Sequence, residues 1–389
     1  MTTAPLTVML VAAEASGDER GAGLARALRR RLGQGVRFVG VGGARMAAEG
    51  VESPFDIAEL SVLGLVEGLK AYPRVVRRAD QTADLARQEK PNVAVLIDSW
   101  GFTLRVAQRL RRLDPQLPLV KYVAPQVWAS RPKRAKTLAG AFDLLLSIHA
   151  FDAPWFEAEG LTVSFVGNSA LALDFSAAQP ERVRAGIGVG PGAPILLVLP
   201  GSRPSEIERV LPPFGEAVDL LKAERPELQV VVPAAPTVAK LVKVRVARWS
   251  HRAHVVEGEE AKLDAMKAAT VALACSGTVT TQLALAGAPM VVGYRVAPLT
   301  YVILKRIVTT RYATLFNIAA NAEIAPELIQ DACNGPALAA EVARRLDDAN
   351  LRRAQVQAQY AALDLMGRGG PDPDEAAADA VLKVLEGRT

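Results

Sequence analysis

Pro194-Ile195-Leu196-Leu197-Val198-Leu199-Pro200-Gly201-Ser202-Arg203 reads as a buried strand that ends abruptly. Five apolar residues run without polar alternation, the pattern of a parallel strand covered on both faces. Pro200-Gly201 stops the run, and a helical stretch over 206–224 follows. Leu228-Gln229-Val230-Val231-Val232 then opens the next strand. The N-terminal half begins in the same way. An apolar run over 6–13 leads into Glu14-Ala15-Ser16-Gly17-Asp18 and a helix over 21–31, and a strand over 36–41 follows. Strands at 93–97, 119–123, 144–148 and 163–166 continue the first series. Those at 255–257, 271–274 and 290–294 continue the second, with helices over 238–248, 261–268 and 280–286. Strands separated by helices specify βαβ units and a parallel sheet.

The expected architecture is therefore α/β, with two doubly wound Rossmann-like domains facing a cleft. The boundaries expected from composition are 1–178 for the first domain, 190–365 for the second and 366–389 for a tail helix. The Ala-, Gly- and Pro-rich stretch 176–194 reads as the linker. Ligands bind such sheets at the carboxyl ends of their strands, so Ser16, Asp98, Arg203 and Ser276 should line the cleft.

With 389 residues, half of them hydrophobic and 22% charged, the chain has the composition of a folded globular protein. Two cysteines and three histidines are too few for a disulfide framework or a Cys/His metal centre. A net charge of +5 favours acidic partners. The basic residues are spread through helices without a stacking-aromatic motif, which argues against nucleic acid. The N-terminal apolar run lacks a basic region before it and reads as a strand rather than a signal peptide. These features suit a cytoplasmic protein whose membrane contact, if any, is peripheral.

Four strand-end loops carry the candidate chemistry. In 14–18, Gly17 permits close backbone approach and Ser16 can meet an anion; capping of the helix by Ser16 or Asp18 explains the same residues. Asp98, after the strand 93–97, is a general-base candidate or a helix N-cap. In 201–203, Gly201 clears space, Ser202 can bind an oxygen, and Arg203 can fork onto a phosphate or pair with Glu206 or Glu208. In Ser276-Gly277-Thr278, small residues open a helix where an anion could sit, and Gln282 one turn on could reach a sugar. Asp152, Glu157 and Glu159 read as a solvated helix end, and Cys275 as apolar filling. Two segments, 60–69 and 296–312, combine apolar side chains with few charges or with basic ones, as an interfacial or a core helix would.

Together these blocks resemble the lipid-A-disaccharide synthase family of GT-B glycosyltransferases. The resemblance rests on residues 14–18, 21–24, 38–43, 59–60, 64–67, 97–98, 122–128, 131–134, 199–203, 276–278, 289–295, Asn317 and 326–330. It implies an inverting transfer from UDP-2,3-diacylglucosamine to 2,3-diacylglucosamine 1-phosphate (lipid X), with release of UDP and with no cofactor or metal. It implies Asp98 and Arg203 as catalytic residues. Ser16, Gly17, Gly201, Ser202, Arg203, Ser276, Gly277, Thr278, Gln282 and Asn317 would contact substrate or UDP. Leu63, Leu65, Val66, Leu69, Tyr301, Lys305 and Arg306 would contact acyl chains or the anionic inner face of the inner membrane. The tail helix would return to the first domain. A divergent paralogue acting on another acylated sugar nucleotide, or a weakly catalytic nucleotide-sugar or lipid-binding protein, would use the same scaffold. The sequence sets no oligomeric state.

Overall fold

The computed structural model describes residues 5–60 and 65–387, apart from the side chains of 65–71, 299 and 303. It contains two compact units. One comprises the chain up to Asn168 and from Gly370 onward, and the other runs from Ser169 to Gly369.

The first unit holds a parallel sheet of six strands: β1 (Leu6–Val11), β2 (Val36–Val41), β3 (Val93–Ile97), β4 (Leu119–Tyr122), β5 (Leu144–Ser147) and β6 (Thr162–Phe165). Their spatial order is β2-β1-β3-β4-β5-β6. Side chains alternate between two separate cores. Met9, Val11, Ala94 and Leu96 enter one, whereas Val8, Leu10, Val93 and Val95 enter the other. Both faces are buried, which is why the strands show no polar alternation. Helix Pro373–Glu386 closes the second of these cores with Ala377, Ala378 and Val381. Glu375 pairs with Arg30 and Arg31 of helix Ala15–Leu32.

The second unit holds β7 (Ile195–Leu199), β8 (Gln229–Ala234), β9 (His254–Glu257), β10 (Val271–Cys275), β11 (Met290–Tyr294) and β12 (Glu327–Ile329). Their order is β12-β11-β10-β7-β8-β9, also all parallel. Counted within the unit this is the 3-2-1-4-5-6 order of dinucleotide-binding folds. Its winding reverses between β7 and β10. In the first unit it reverses between β1 and β3.

Several expectations change. The first break falls at Asn168 rather than 178, because Leu171 is buried in the second unit's core and Phe175 packs against it. The stretch expected to be a linker contains helix Pro180–Ile187. It is fastened to helix Glu259–Ala268 by Arg182 Nε–Asp264 at 2.8 Å and by the Gln179 amide donating to Asp264 at 2.6 Å. Between β12 and the tail the chain forms two helices, Gly335–Asp347 and Ala349–Leu365. Asp348 caps the second by accepting from the amides of Asn350 and Leu351. Helix Leu65–Glu89 runs far beyond the helical segment expected at 60–69, and the short strand β12 was not anticipated.

Candidate active site

In each unit the loops singled out from sequence lie where the winding of the sheet reverses, the position at which open α/β sheets bind ligands.

In the second unit the loops after β7 and β10 frame a cavity of about 490 Å³. Gly201, Ser202, Arg203, Ser276, Gly277, Thr278 and Gln282 all line it. Gly201 has φ +113°, and a Cβ there would stand 2.6 Å from the Glu206 carboxylate. Glu206 Oε2 accepts from the amides of Ser202 at 3.0 Å and Arg203 at 3.2 Å. The loop's backbone donors are thus already met by an internal carboxylate. Arg203 itself is 72% exposed and meets Glu206 Oε1 only at 3.3 Å, a loose pair that leaves most of its guanidinium donors available. The paired and the anion-binding states of Arg203 are therefore compatible. On the opposite wall, Gly277 (φ +153°) precedes helix Thr278–Ala286, whose N-terminal end opens on the cavity and favours negative charge there. Ser276 Oγ donates to the carbonyl of Ala313 at 3.3 Å.

Sequence reasoning missed other parts of this cavity, notably Lys262 and residues 233–236 at the end of β8. It did not assign Tyr294, whose hydroxyl is pushed up chiefly by desolvation. All of them stand at a strand end or one turn into a helix, close to the signal that identified the four loops. Cys275 is 1% exposed and burial pushes its thiol up to about 12, which leaves it unreactive wall material. A hollow of similar size, about 520 Å³, lies along helix Pro204–Glu224 beside Trp249. It is away from the strand ends and lacks a convergence of loop amides.

Asn317 departs from expectation. It is fully buried and its amide is committed within the chain. Nδ2 donates to the Ala325 carbonyl and to Glu327 Oε1, both at 2.9 Å, and Oδ1 accepts from the amides of Ile324 and Ala325. Glu327 also accepts from the amides of Ala313 and Thr314 and from the Thr314 hydroxyl. Asn317 thus positions the loop that Ser276 touches and is not itself a cavity residue.

In the first unit, Asp98 and Ser99 follow β3 with φ +50° and +38°. Consecutive left-handed conformations at residues with side chains cost about 1–3 kcal/mol each and need surrounding structure to hold them. Among the described residues, the Asp98 carboxylate accepts one hydrogen bond, from the Ser99 amide at 2.9 Å. The helix after it begins at Trp100, with Ser99 at the N-cap and no side-chain cap. Asp98 is half-buried and does not cap the helix. Beside it, Glu14 is exposed as a residue, but its carboxyl is partly desolvated and sits above the ordinary value. The neighbouring Asp98 adds to that rise and Lys121 opposes it.

The 14–18 segment is not a loop, since the helix starts at Ala15. Ser16 is exposed in the first turn. Gly17 is buried, and a Cβ there would meet Ala12 at 3.2 Å and Ile97 at 3.6 Å, so it serves close packing rather than a ligand. Asp18 caps a different helix, Ala44–Ala48, by accepting from the amides of Gly43, Arg45 and Met46. Asp152, expected to be solvated, is 2% exposed. It accepts from Trp128 Nε1 at 2.7 Å, and Ser147 Oγ lies 2.7 Å from its other oxygen. Burial pushes it up to about 6 despite these two donors.

Leu63 lies outside the described residues, and of Leu65, Val66 and Leu69 only the helical backbone is described. Tyr301 is half-buried on helix Pro298–Ile307, and Lys305 and Arg306 are exposed there beside Val302 and Val308. Among the described residues, no helix is long and apolar enough to cross a membrane.

Two doubly wound units, one with a nucleotide-sized cavity at its switch point, define the GT-B class. Solved structures of that architecture match nearly the whole chain. They include an S. aureus MnaA–UDP co-structure (TM-score 0.62, 15% identity, 98% of this chain and 97% of that one) and the spinosyn rhamnosyltransferase SpnG (TM-score 0.52, 15% identity, 98% and 100%). At such identities the likeness establishes the fold. The family profile described as lipid-A-disaccharide synthetase matches residues 8–381. The lipid-A-disaccharide synthase of Rhodospirillum centenum is 41% identical over 384 residues, covering 99% of this chain and 96% of that relative. That of Paramagnetospirillum magneticum is 42% identical over 382 residues, covering 98% of each. The chain belongs to the lipid-A-disaccharide synthetase family and is a glycosyltransferase.

Proposed function

We propose that the chain transfers the sugar of UDP-2,3-diacylglucosamine to 2,3-diacylglucosamine 1-phosphate (lipid X), inverting the anomeric centre and releasing UDP. The observation that carries this reading is the cavity between the two strand-end loops of the second unit, with its exposed, loosely paired guanidinium and helix N-terminus. Arg203 and the 276–278 loop hold the diphosphate there, with Gly201 and Ser202 shaping its approach, and Gln282 meets the ribose or uracil. The first unit takes the lipid acceptor, and Ser16 is placed to contact it.

Asp98 acts as general base. It takes the proton from the acceptor's 6-hydroxyl as that oxygen bonds to the donor's anomeric carbon. The bond from that carbon to the β-phosphate oxygen breaks, and its electron pair leaves with UDP. Arg203 stabilises the charge gathering on the leaving diphosphate. The exposed Val302, Lys305, Arg306 and Val308 suit contact with an anionic bilayer from which acylated substrates are drawn, with Tyr301 at the apolar boundary. On this reading the enzyme works on the inner face of the inner membrane.

The test is Asp98→Asn, with UDP release and disaccharide followed by mass spectrometry on the two acylated substrates. Turnover should fall by about a hundred-fold or more, while UDP still binds. Parental turnover would move the base elsewhere, to Glu14 first. Failure of the parent enzyme to form disaccharide from this pair would overturn the substrate assignment.

A further inference from the structure

Lys121 is the one charged residue of β4, a strand buried on both faces, and it is 2% exposed. A lysine ammonium in such a place needs partners. Its Nζ donates to the backbone carbonyl of Asp98 and to Thr103 Oγ1, the latter at 2.9 Å. The Thr103 hydroxyl lies 2.8 Å from the same Asp98 carbonyl and 3.0 Å from that of Ser99, and donates to one or the other. These groups grip the two carbonyls of the left-handed Asp98–Ser99 turn. Among the described residues, the ionisable groups that act on the ammonium are Asp98, at the end of β3, and Glu14, at the N-cap of helix Ala15–Leu32.

We propose that Lys121 is a positioning residue for the transfer reaction: its buried ammonium holds the Asp98–Ser99 turn, and so the direction of the Asp98 carboxylate. The inference rests on Asp98 being the acceptor's base. Three facts on the page support it. The turn is strained and has to be held. The grip comes from a charge buried in a sheet, where its desolvation is costly. Burial also lowers the ammonium to about 7, partly offset by Asp98 and Glu14, so its charge changes near neutral pH and not in the alkaline range usual for lysine.

The experiment compares Lys121→Met, Asp98→Asn and the double variant in the full chain, using UDP release from the two acylated substrates. Lys121→Met keeps the length of the side chain but takes a donor from the strained turn, so a modest fall in melting temperature is expected. We expect UDP affinity within about twofold of the parent, a kcat at least about tenfold lower, and little change in acceptor KM. The acid limb of kcat/KM should move to higher pH, because the Glu14 carboxyl beside Asp98 loses the cation that opposes its rise. In the Asp98→Asn background the same substitution should have no further effect.

A structural role alone would leave the pH limb in place, whatever the melting temperature; that result overturns the proposal. Lys121→Gln supplies the same readings if the Met variant does not fold. Parental turnover in Asp98→Asn would sink both the base assignment and this inference. Loss of turnover in Asp98→Asn together with a parental rate and pH limb in Lys121→Met would sink the inference alone.

Discussion

Replacing Asn317 separates a residue that touches the nucleotide from one that builds the wall behind it. The side chain is fully buried and makes four hydrogen bonds, at 2.9 Å to the Ala325 carbonyl, Glu327 Oε1 and the Ile324 amide, and at 3.1 Å to the Ala325 amide. Asn317→Ala strands the donor and acceptor of Ala325, which is itself 0% exposed. A buried polar group left without a partner costs about 1–3 kcal/mol. Two such groups, with the loss of one donor to Glu327, give a destabilisation of about 3–5 kcal/mol. For a unit of this size each kcal/mol lowers the melting temperature by about 2–4 °C, so a fall of roughly 10 °C is expected. UDP affinity, measured by calorimetry well below the transition, should stay within about threefold of the parent. Asn317→Asp is the companion. It keeps the acceptors but sets a second carboxylate against Glu327, so it should also destabilise, and less at acidic pH. An unchanged melting temperature combined with a tenfold loss of UDP affinity in Asn317→Ala would refute the structural role and return Asn317 to the nucleotide.

Arg203→Ala should weaken UDP binding by about tenfold or more, since a charge-assisted contact contributes about 1.5–3 kcal/mol. Its loose pair with Glu206 is exposed, so the melting temperature should hardly move; unchanged UDP affinity in calorimetry rejects the assignment. Asp152→Asn should change how stability depends on pH. Asp152 is held up to about 6 by burial, so the folded protein binds the extra proton below that value. The parent therefore loses stability from this group as pH rises from about 4 through 6. Relative to the parent, the variant should gain roughly 2 kcal/mol between pH 4.5 and 7 in denaturant melts; a pH-independent difference would show that Asp152 does not titrate there. His149, lowered to about 4 by its own burial and by Arg20, acts in the opposite direction over much of the same window, and the substitution leaves that contribution in place.

The strands were legible because burial on both faces leaves an unambiguous mark, an uncharged run such as 195–199 stopped by Pro-Gly. What the sequence hid were partnerships over distance. Nothing local shows that Asp18 spends its carboxylate on amides at 43–46, or that Asn317 and Glu327 satisfy one another's neighbours. The strand β12 has three residues, all half-buried, too short and too mixed for a periodic signal. The helix Leu65–Glu89 begins in an apolar stretch and carries Pro73 inside it, and both features point away from an ordinary amphipathic helix.

Lys121 lies between these cases. Its strand reads Leu119-Val120-Lys121-Tyr122, flanked by strands with no charge at all, so the anomaly was visible in the sequence. A charge on such a strand must find partners inside the fold, and the neighbouring strand end supplies them. The register that pairs Leu96 with Lys121 and Ile97 with Tyr122 puts the ammonium within reach of the residue just after β3. The candidate base and the cation that holds it are therefore products of one strand pairing. A substitution that slips β4 by one residue would turn Lys121 to the other face and release Asp98, even with both side chains intact.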